Sequence, residues 1–317
     1  MKKEVLMKNK IKRGLSLTLS MCAVFSLFSF GASANAGEYS SPSQIEEQAT
    51  YDMLARVELG LLPVGNKSVS AYRALSVSYS GAQIKSGAIS VGGRAYISLR
   101  EFARAIGASY SYDSAAKCAT LRYGSFVLSV NDGAYVMYAN YSRPIFSFSN
   151  SVMMSDGAIY SPLDSLVRAF GLKSQSSGAG VALSGSVKPM SQKAPYSEDE
   201  VFWLARIIQA ESSGESLLGK IGVGSVVMNR VASPLYPNTI YSVIFDRNYG
   251  VQFSPILNGT IYNTPNYQSR LAAMICLEGF RISDRALFFL EPRLATSSWI
   301  PRNREYLFSI LHHDFYA

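Results

Sequence analysis

The chain has 317 residues, which is enough for two ordinary domains. Its net charge of +8 is concentrated at the N-terminus, since residues 1–36 hold six of the 30 Lys and Arg residues and one of the 22 Asp and Glu residues. The remaining charge of +3 is mild and does not indicate a nucleic-acid partner. The only histidines are the adjacent His312 and His313, so we expect no zinc site, no other metal site and no cofactor.

Residues 1–36 have the pattern of a secretory signal peptide. Basic residues from Lys2 to Arg13 precede an apolar stretch, and small-x-small cleavage sites end at Ala34 and Ala36. An uncleaved membrane anchor is the alternative, although the apolar stretch is short for a span. No second apolar run approaches about 18 residues, so we expect an exported protein with no stable membrane insertion after cleavage.

Residues 37–74 form a transitional segment with helical periodicity, and an internal repeat lies in the module that follows, residues 75–187. GGRAYISLREFARAIGA begins at Gly92, and DGAIYSPLDSLVRAFGL begins 64 residues later at Asp156. Each unit predicts a Gly turn, a short strand, a helix with an apolar stripe and a terminal Gly. The sequence therefore predicts a small α+β repeat module.

This module is similar to the copper amine oxidase N-terminal-type domain, which occurs on many bacterial exported proteins. It contains no His and therefore no copper ligand set. We interpret it as a binding or positioning module directed to the cell wall, with a structural spacer as the alternative.

Residues 188–196 are rich in Ser, Pro and Lys and lack hydrophobic periodicity, which indicates a linker to a second domain at 197–317. Ser197 and the acidic residues after it predict the start of a helix that ends near Glu211, where Ser-Ser-Gly follows. A carboxylate among apolar side chains is desolvated, which raises its pKa and suits it to donate a proton near neutral pH. We predict that residues 190–317 fold and act alone.

The sequence from Leu204 to Val231 resembles the SleB/CwlJ type of spore cortex-lytic and cell wall hydrolases. The family pattern LAR-x-I-x-AE-x-x-GE, then GK-x-x-V-x-x-V-x-x-NRV, occurs here with Glu211 and Glu215 as its acidic residues. Further blocks follow in order as PNTI, QFSP, a Trp at 299 and a closing His-x-Phe-Tyr, so the resemblance covers residues 196–317. It implies a mainly α, lysozyme-like catalytic domain, and hence an α+β two-domain protein.

The resemblance also implies an activity. Family members are lytic transglycosylases with one essential Glu, which Glu211 matches. This residue would protonate the oxygen between N-acetylmuramic acid and N-acetylglucosamine, and the 6-hydroxyl of muramic acid would attack to leave a 1,6-anhydro end. The alternatives are a hydrolytic muramidase or glucosaminidase on the same fold, and a non-catalytic wall-binding protein. The expected partner is peptidoglycan of the spore cortex or vegetative wall, and the expected location is secreted, wall-associated or in the spore envelope.

Three polar residues near Glu211 are candidates for supporting roles. Ser212 matches the Glu-Ser pair of other lytic transglycosylases. Glu215 either tunes Glu211 or caps the next helix. Asn229 lies in an apolar helix and needs hydrogen-bond partners if buried, so it either braces the Glu211 loop or acts directly.

Four further candidates come from the C-terminal blocks. Gln252 and Phe253 supply an amide and a ring suited to line a glycan site. Trp299 either stacks on a sugar or belongs to the core, and His313 matches the closing family motif. The family often has Gly where Leu311 stands here. Cys276 lies in an apolar helix, which indicates a small buried hydrophobe rather than a peptidase nucleophile.

Overall fold

The computed structural model describes residues 73–84, 87–149, 152–153, 157–178, 180–248 and 250–317. The predicted signal peptide and nearly all of the transitional segment lie outside these residues. Within the described ranges, none of the helices is both long enough and apolar enough to cross a bilayer.

The N-terminal module consists of short strands and two helices. Its strands are β1 (Arg73–Ala74), β2 (Ser76–Tyr79), β3 (Ala82–Ile84), β4 (Ala88–Val91), β5 (Arg94–Ser98), β6 (Ser109–Asp113), β7 (Cys118–Tyr123), β8 (Phe126–Asn131), β9 (Val136–Ala139), β10 (Arg143–Phe146), β11 (Val152–Met153), β12 (Ile159–Pro162), β13 (Lys173–Ser177) and β14 (Gly180–Ser184). Its helices are α1 (Leu99–Ile106) and α2 (Leu163–Phe170). They form sheets of order β1-β4-β5-β12-β11, β10-β9-β8-β7-β6 and β13-β14-β2-β3.

The internal repeat folds as the sequence predicts. Strand β5 leads into α1, which ends at Gly107 with φ +75°, and β12 leads into α2, which ends at Gly171 with φ +62°. Glycine takes this left-handed conformation without steric cost. The two strands pair antiparallel with Ile97 opposite Ser161, the equivalent residue of the other unit. The two units are therefore related by a local two-fold axis.

The C-terminal domain is mainly helical with one small sheet. Its helices are α3 (Glu198–Ser212), α4 (Leu217–Ala232), α5 (Ile240–Ile244), α6 (Pro255–Asn258), α7 (Tyr267–Leu277) and α8 (Trp299–Asn303), with a 3-10 turn at Thr260–Tyr262. Strands β15 (Phe288–Leu290), β16 (Tyr306–Ile310) and β17 (His313–Tyr316) form an antiparallel sheet with β17 in the centre. The predicted α+β class, with a β-rich N-terminal module and a mainly α C-terminal domain, is confirmed.

Helix α4 lies at the centre of the C-terminal domain because glycines allow its neighbours to approach closely. A Cβ atom at Gly222 would lie 2.6 Å from the Phe315 ring, and one at Gly224 would lie 2.7 Å from the Cys276 sulfur. Cys276 is a buried free thiol, and burial raises its pKa to about 12. Its thiol therefore packs as a hydrophobic group, as the apolar helix predicts.

The module and the C-terminal domain pack directly against each other. The guanidinium of Arg143 on β10 forms two 2.7 Å hydrogen bonds to the carboxylate of Glu278, which is 2% exposed. Phe146 and Phe148 contact Phe280 of the C-terminal domain with ring centroids 4.8 and 5.0 Å apart. This contact makes the interface an extension of the C-terminal core, since Phe146 belongs to the same buried cluster.

The predicted linker lies against the module. Lys188 and Met190 donate backbone hydrogen bonds to the carbonyls of Phe170 and Ala169 at the end of α2. Arg143 also donates a 2.7 Å hydrogen bond to the Ser191 carbonyl. The domain boundaries drawn from the sequence stay a prediction, and the structure adds that the connecting segment is fixed by hydrogen bonds.

Candidate active site

Glu211 lies in the last turn of α3 and is half-buried. A Ser197–Glu200 capping box fixes the other end of this helix. No described residue donates a hydrogen bond to the Glu211 carboxylate. Burial raises the pKa of Glu211 to about 7, and the positive charge of Arg230 opposes that rise. A carboxyl with this pKa is partly protonated near neutral pH and can act as a general acid.

Arg230, in the last turn of α4, is the charge next to Glu211. It is 5% exposed, and its Nε donates a 2.9 Å hydrogen bond to the Leu287 carbonyl. Its Nη1 is buried and has no hydrogen-bond partner among the described residues. Burial lowers the pKa of Arg230, although nearby Tyr236, Asp246 and Glu211 each raise it. A buried guanidinium with an unused donor is suited to bind an oxygen of a substrate.

The loop after Glu211 is fixed by a buried lysine. Lys220 is 1% exposed, and its Nζ donates hydrogen bonds to the carbonyls of Ser212 at 2.8 Å, Ser213 at 3.1 Å and Glu215. These carbonyls follow the C-terminal end of α3, where a positive charge is favourable. The Ser212 hydroxyl is used locally, since it donates a 2.5 Å hydrogen bond to the Ile208 carbonyl. Lys220 therefore holds the backbone next to Glu211 in place.

Glu215 is buried and faces both histidines. Its Oε1 lies 2.9 Å from Nδ1 of His312 and 3.6 Å from Nδ1 of His313. Its Oε2 has no partner among the described residues, and a Cβ atom at Gly219 would lie 2.7 Å from this oxygen. The N-cap of α4 is Ser216, so the geometry does not give Glu215 the capping role.

His313 is buried on the central strand β17. Its ring lies edge-on to Phe289 at 5.3 Å, and its Nδ1 has no hydrogen-bond partner among the described residues. Desolvation lowers the pKa of His313, and the nearby Glu215 carboxylate opposes that effect. We therefore expect a neutral imidazole at neutral pH.

The turn before these histidines has a strained backbone. Leu311 adopts φ +47°, a left-handed conformation that costs a leucine about 1 kcal/mol. The family often has Gly at this position, and the backbone conformation of Leu311 is one that glycine adopts more easily.

The remaining predicted site residues have different environments. Asn229 is 8% exposed, and its Nδ2 donates 2.8 and 2.9 Å hydrogen bonds to the carbonyls of Ser283 and Ala286, so its amide braces a distant loop. Phe253 is buried beneath the Arg230 guanidinium at 5.2 Å. Gln252 lies beside it and donates to the Gly250 carbonyl. Trp299 is 52% exposed and therefore does not belong to the core.

The structure thus places Glu211 and Phe253 next to Arg230. Glu215 and His313 lie close to each other, and Glu215 belongs to the loop that Lys220 holds. Sequence reasoning did not single out Arg230, Lys220 or His312. Lys220 and Arg230 were present only as letters of the GK and NRV blocks of the family pattern, and the sequence did not show that both are buried close to Glu211 or its loop. Within the described residues, no three His, Cys, Asp or Glu side chains converge as a metal site would require.

Two known family profiles match separate parts of the chain. The profile of the cell wall hydrolase family matches residues 214–316, and that of the copper amine oxidase N-terminal domain matches residues 79–184. Glu211 lies three residues before the first match, so its assignment rests on its own geometry and on the motif around it.

Similar proteins include spore cortex-lytic enzymes. The one from Bacillus cereus is 36% identical over 105 residues, which are 33% of this chain and 39% of that protein. The one from Bacillus subtilis is 34% identical over 105 residues, which are 33% of each. The chain therefore matches well under half the length of these relatives. A crystal structure of the catalytic domain of the germination-specific lytic transglycosylase SleB from Bacillus anthracis is 32% identical, covers 39% of this chain and 99% of that one, and has a TM-score of 0.36.

Proposed function

We propose that this protein cleaves the glycan strands of peptidoglycan with Glu211 as the general acid. Support comes from the match of residues 214–316 to the cell wall hydrolase profile and of residues 79–184 to the copper amine oxidase N-terminal domain profile. The observation that carries the proposal is the half-buried Glu211 carboxyl, whose pKa is raised to about 7. A group that holds its proton near neutral pH can protonate a glycosidic oxygen.

The reaction is a lytic transglycosylation. Glu211 gives its proton to the oxygen between N-acetylmuramic acid and N-acetylglucosamine, and the C1–O bond breaks. The 6-hydroxyl of the same muramic acid attacks C1, its proton returns to Glu211, and a 1,6-anhydro end results. The Arg230 guanidinium, with its unused Nη1 donor, binds a substrate oxygen beside the carboxyl.

Hydrolysis is the alternative chemistry, and it uses a second carboxylate to activate water or form a covalent intermediate. The candidate closest in sequence, Glu215, is buried and its Oε1 lies 2.9 Å from Nδ1 of His312, which argues against that role and supports a single-Glu mechanism. The two reactions differ in product mass, since anhydro ends are lighter by one water. Mass spectrometry of the released muropeptides separates them.

The substrate we propose is spore cortex peptidoglycan, with the vegetative wall as the second candidate, because the curated relatives are named spore cortex-lytic enzymes. The N-terminal signal pattern supports export to the wall or spore envelope. The module at 79–184 then positions the enzyme on the wall. Release of muropeptides from purified cortex and from vegetative sacculi, compared at equal enzyme, decides between the substrates.

The central test is Glu211→Gln. The amide keeps the shape of the side chain but cannot donate a proton as an acid, so cleavage should fall at least about a hundredfold. Turbidity loss of cortex or wall suspensions measures the effect. Asp199→Asn, on the exposed first turn of the same helix, is the matched control and should retain activity. Near-normal cleavage by Glu211→Gln contradicts the proposal, and a wild type that binds walls without cutting them indicates a wall-binding protein.

A further inference from the structure

A row of alternating rings and arginines leads from Arg230 to the surface. The Cζ atom of Arg230 lies 5.5 Å from the centre of the Phe288 ring, and Arg304 lies 4.4 Å from the same ring. Arg304 in turn lies 5.2 Å from the exposed Trp299 ring. We call this arrangement, Arg230–Phe288–Arg304–Trp299, the arginine–aromatic row.

The outer end of the row is built from a strand and a helix that follow each other in the chain. Phe288 begins β15, whereas Trp299 begins α8 and Arg304 directly follows that helix. The Phe288 and Trp299 ring centroids are 6.5 Å apart at 62°, and Arg304 lies near both. Contacts between a guanidinium and ring faces restrict a side chain that would otherwise be mobile.

The Arg304 guanidinium is also unpaired. It is exposed, and no carboxylate in the described part of the chain lies within ion-pair distance of it. Its neighbours differ, because Arg285 pairs with Glu305 at 2.5 Å and Arg293 with Glu291 at 3.8 Å. Because the rings contact the faces of the planar Arg304 guanidinium, the N–H groups at its edge stay free to donate hydrogen bonds to a carboxylate.

We propose that Arg304, held by Phe288 and Trp299, binds a carboxylate of the muramic acid side group or its attached peptide in the strand being cleaved. The inference rests on the proposed function, because it places the row along the path of a glycan bound at Glu211. The row begins at Arg230, whose charge acts on Glu211, so its outer end suits a substrate unit beyond the cleaved bond. Trp299 supplies an exposed ring for the adjacent sugar.

The test uses two soluble glycan substrates that differ only in charge. One is peptidoglycan strands with native carboxylates, and the other is the same strands amidated with carbodiimide and ammonia. We expect wild type to have a KM about tenfold lower for the native strands, the effect of one charge-assisted hydrogen-bonded pair, at equal kcat. Arg304→Gln should raise the KM for native strands to the amidated value and leave the amidated KM unchanged.

Arg302→Gln is the matched control, because Arg302 is exposed, lies two residues away and loses the same charge. It should keep the preference for native strands. The proposal is overturned if Arg304→Gln raises the KM of both substrates equally, if wild type has the same KM for both, or if Arg302→Gln behaves like Arg304→Gln. Equal melting temperatures of the variants confirm that the fold is retained.

A binding measurement separates this inference from the proposed function. Fluorescently labelled native and amidated strands are titrated with the Glu211→Gln protein and with the Glu211→Gln/Arg304→Gln protein. Tighter binding of native strands that depends on Arg304 supports the carboxylate site even if wild type cuts neither strand. Equal binding of both strands overturns it even if wild type is active.

Discussion

Glu211 and Glu278 are both acidic residues of the C-terminal domain, but their side chains have opposite hydrogen-bonding environments. Glu278, at the interface with the module, accepts two hydrogen bonds from Arg143, and its side chain is 2% exposed. Glu211, at the candidate site, receives no hydrogen bond from the described residues, and burial raises its pKa to about 7. Beside it, Arg230 Nη1 has no hydrogen-bond partner in the described part of the chain, and neither do Glu215 Oε2 and His313 Nδ1.

This difference in hydrogen-bond pairing indicates the role of each region. Buried polar groups in a structural contact are paired, because an unpaired buried group lowers stability. Buried polar groups left without partners lower stability, and binding of a substrate can offset that cost. The interface is therefore a structural contact, and the Glu211 region has the features of a site.

The largest expected effect is on the interface side of this comparison. Glu278→Gln leaves the buried Arg143 guanidinium without a counter-charge, so the free energy of unfolding should fall by about 3–5 kcal/mol. Urea denaturation measures it. Glu305→Gln, which breaks the exposed pair with Arg285, is the control and should cost no more than about 1 kcal/mol. A similar small loss in Glu278→Gln would mean that the interface opens readily in solution.

Lys220→Met tests whether the site also has a structural support. The change leaves the carbonyls of Ser212, Ser213 and Glu215 without their donor, so stability should fall by about 1–3 kcal/mol. Because the loop positions Glu211, kcat should also fall, by about tenfold to a hundredfold, with KM little changed. Lys188→Met, at an exposed position, is the control. A normal kcat in a destabilised Lys220→Met protein would limit this lysine to folding.

The pH dependence of cleavage tests the protonation state of Glu211. Glu211 must be protonated to act, so cleavage should be retained below pH 7 and decline as the pH rises through about 7. Because Arg230 lowers the pKa of Glu211, Arg230→Gln should shift that decline to higher pH. A rate that increases above pH 7 would contradict a general acid at this position.

The same titration predicts a stability difference. The native state keeps a proton on Glu211 between pH 4.5, the ordinary pKa, and about 7, whereas the unfolded chain has lost it. Stability should therefore fall as the pH rises through this window, by up to about 1.4 kcal/mol per pH unit. Glu211→Gln lacks this slope, and denaturation at a series of pH values compares the two proteins.

Separation of the two regions should have the smallest effect on catalysis. A fragment of residues 190–317 loses both the contact of Phe146 with Phe280 and the ion pair of Arg143 with Glu278. It should therefore be less stable than the intact chain by at least about 1.5–3 kcal/mol, the value of one buried aromatic side chain. It should still cleave soluble glycan and act less well on insoluble wall, because it lacks the module. Loss of cleavage on both substrates would show that the module supports the site itself.

Local sequence was sufficient for the elements and for the position of Glu211 at the end of α3. The helix start at Ser197, the stop after Glu211 and the two strand–helix–Gly repeat units follow from capping, periodicity and glycine, which act over a few residues. The sequence also placed Cys276 in an apolar setting. These features are fixed within one element, and a single chain segment reveals them.

Long-range contacts were not predictable in the same way. Arg143 and Glu278 are separated by 135 residues, and Glu215 and His312 by 97. Nothing local distinguishes Arg143 from the exposed arginines, and Asn229 could not be assigned to bracing until its two carbonyl partners, 54 and 57 residues away, were seen. Partner choice depends on how the elements pack, which their individual patterns do not specify.

The position of Trp299 gives the protein an optical reporter of its own. The chain has two tryptophans. Trp203 packs against the rings of Phe202, Tyr241 and Phe245, whereas Trp299 is 52% exposed beside Arg304. A ligand that reaches the outer end of the arginine–aromatic row changes the solvent around only one of the two indoles. In a Trp203→Phe protein, the emission maximum would therefore follow occupancy of that end alone, and strand binding could be titrated without a label.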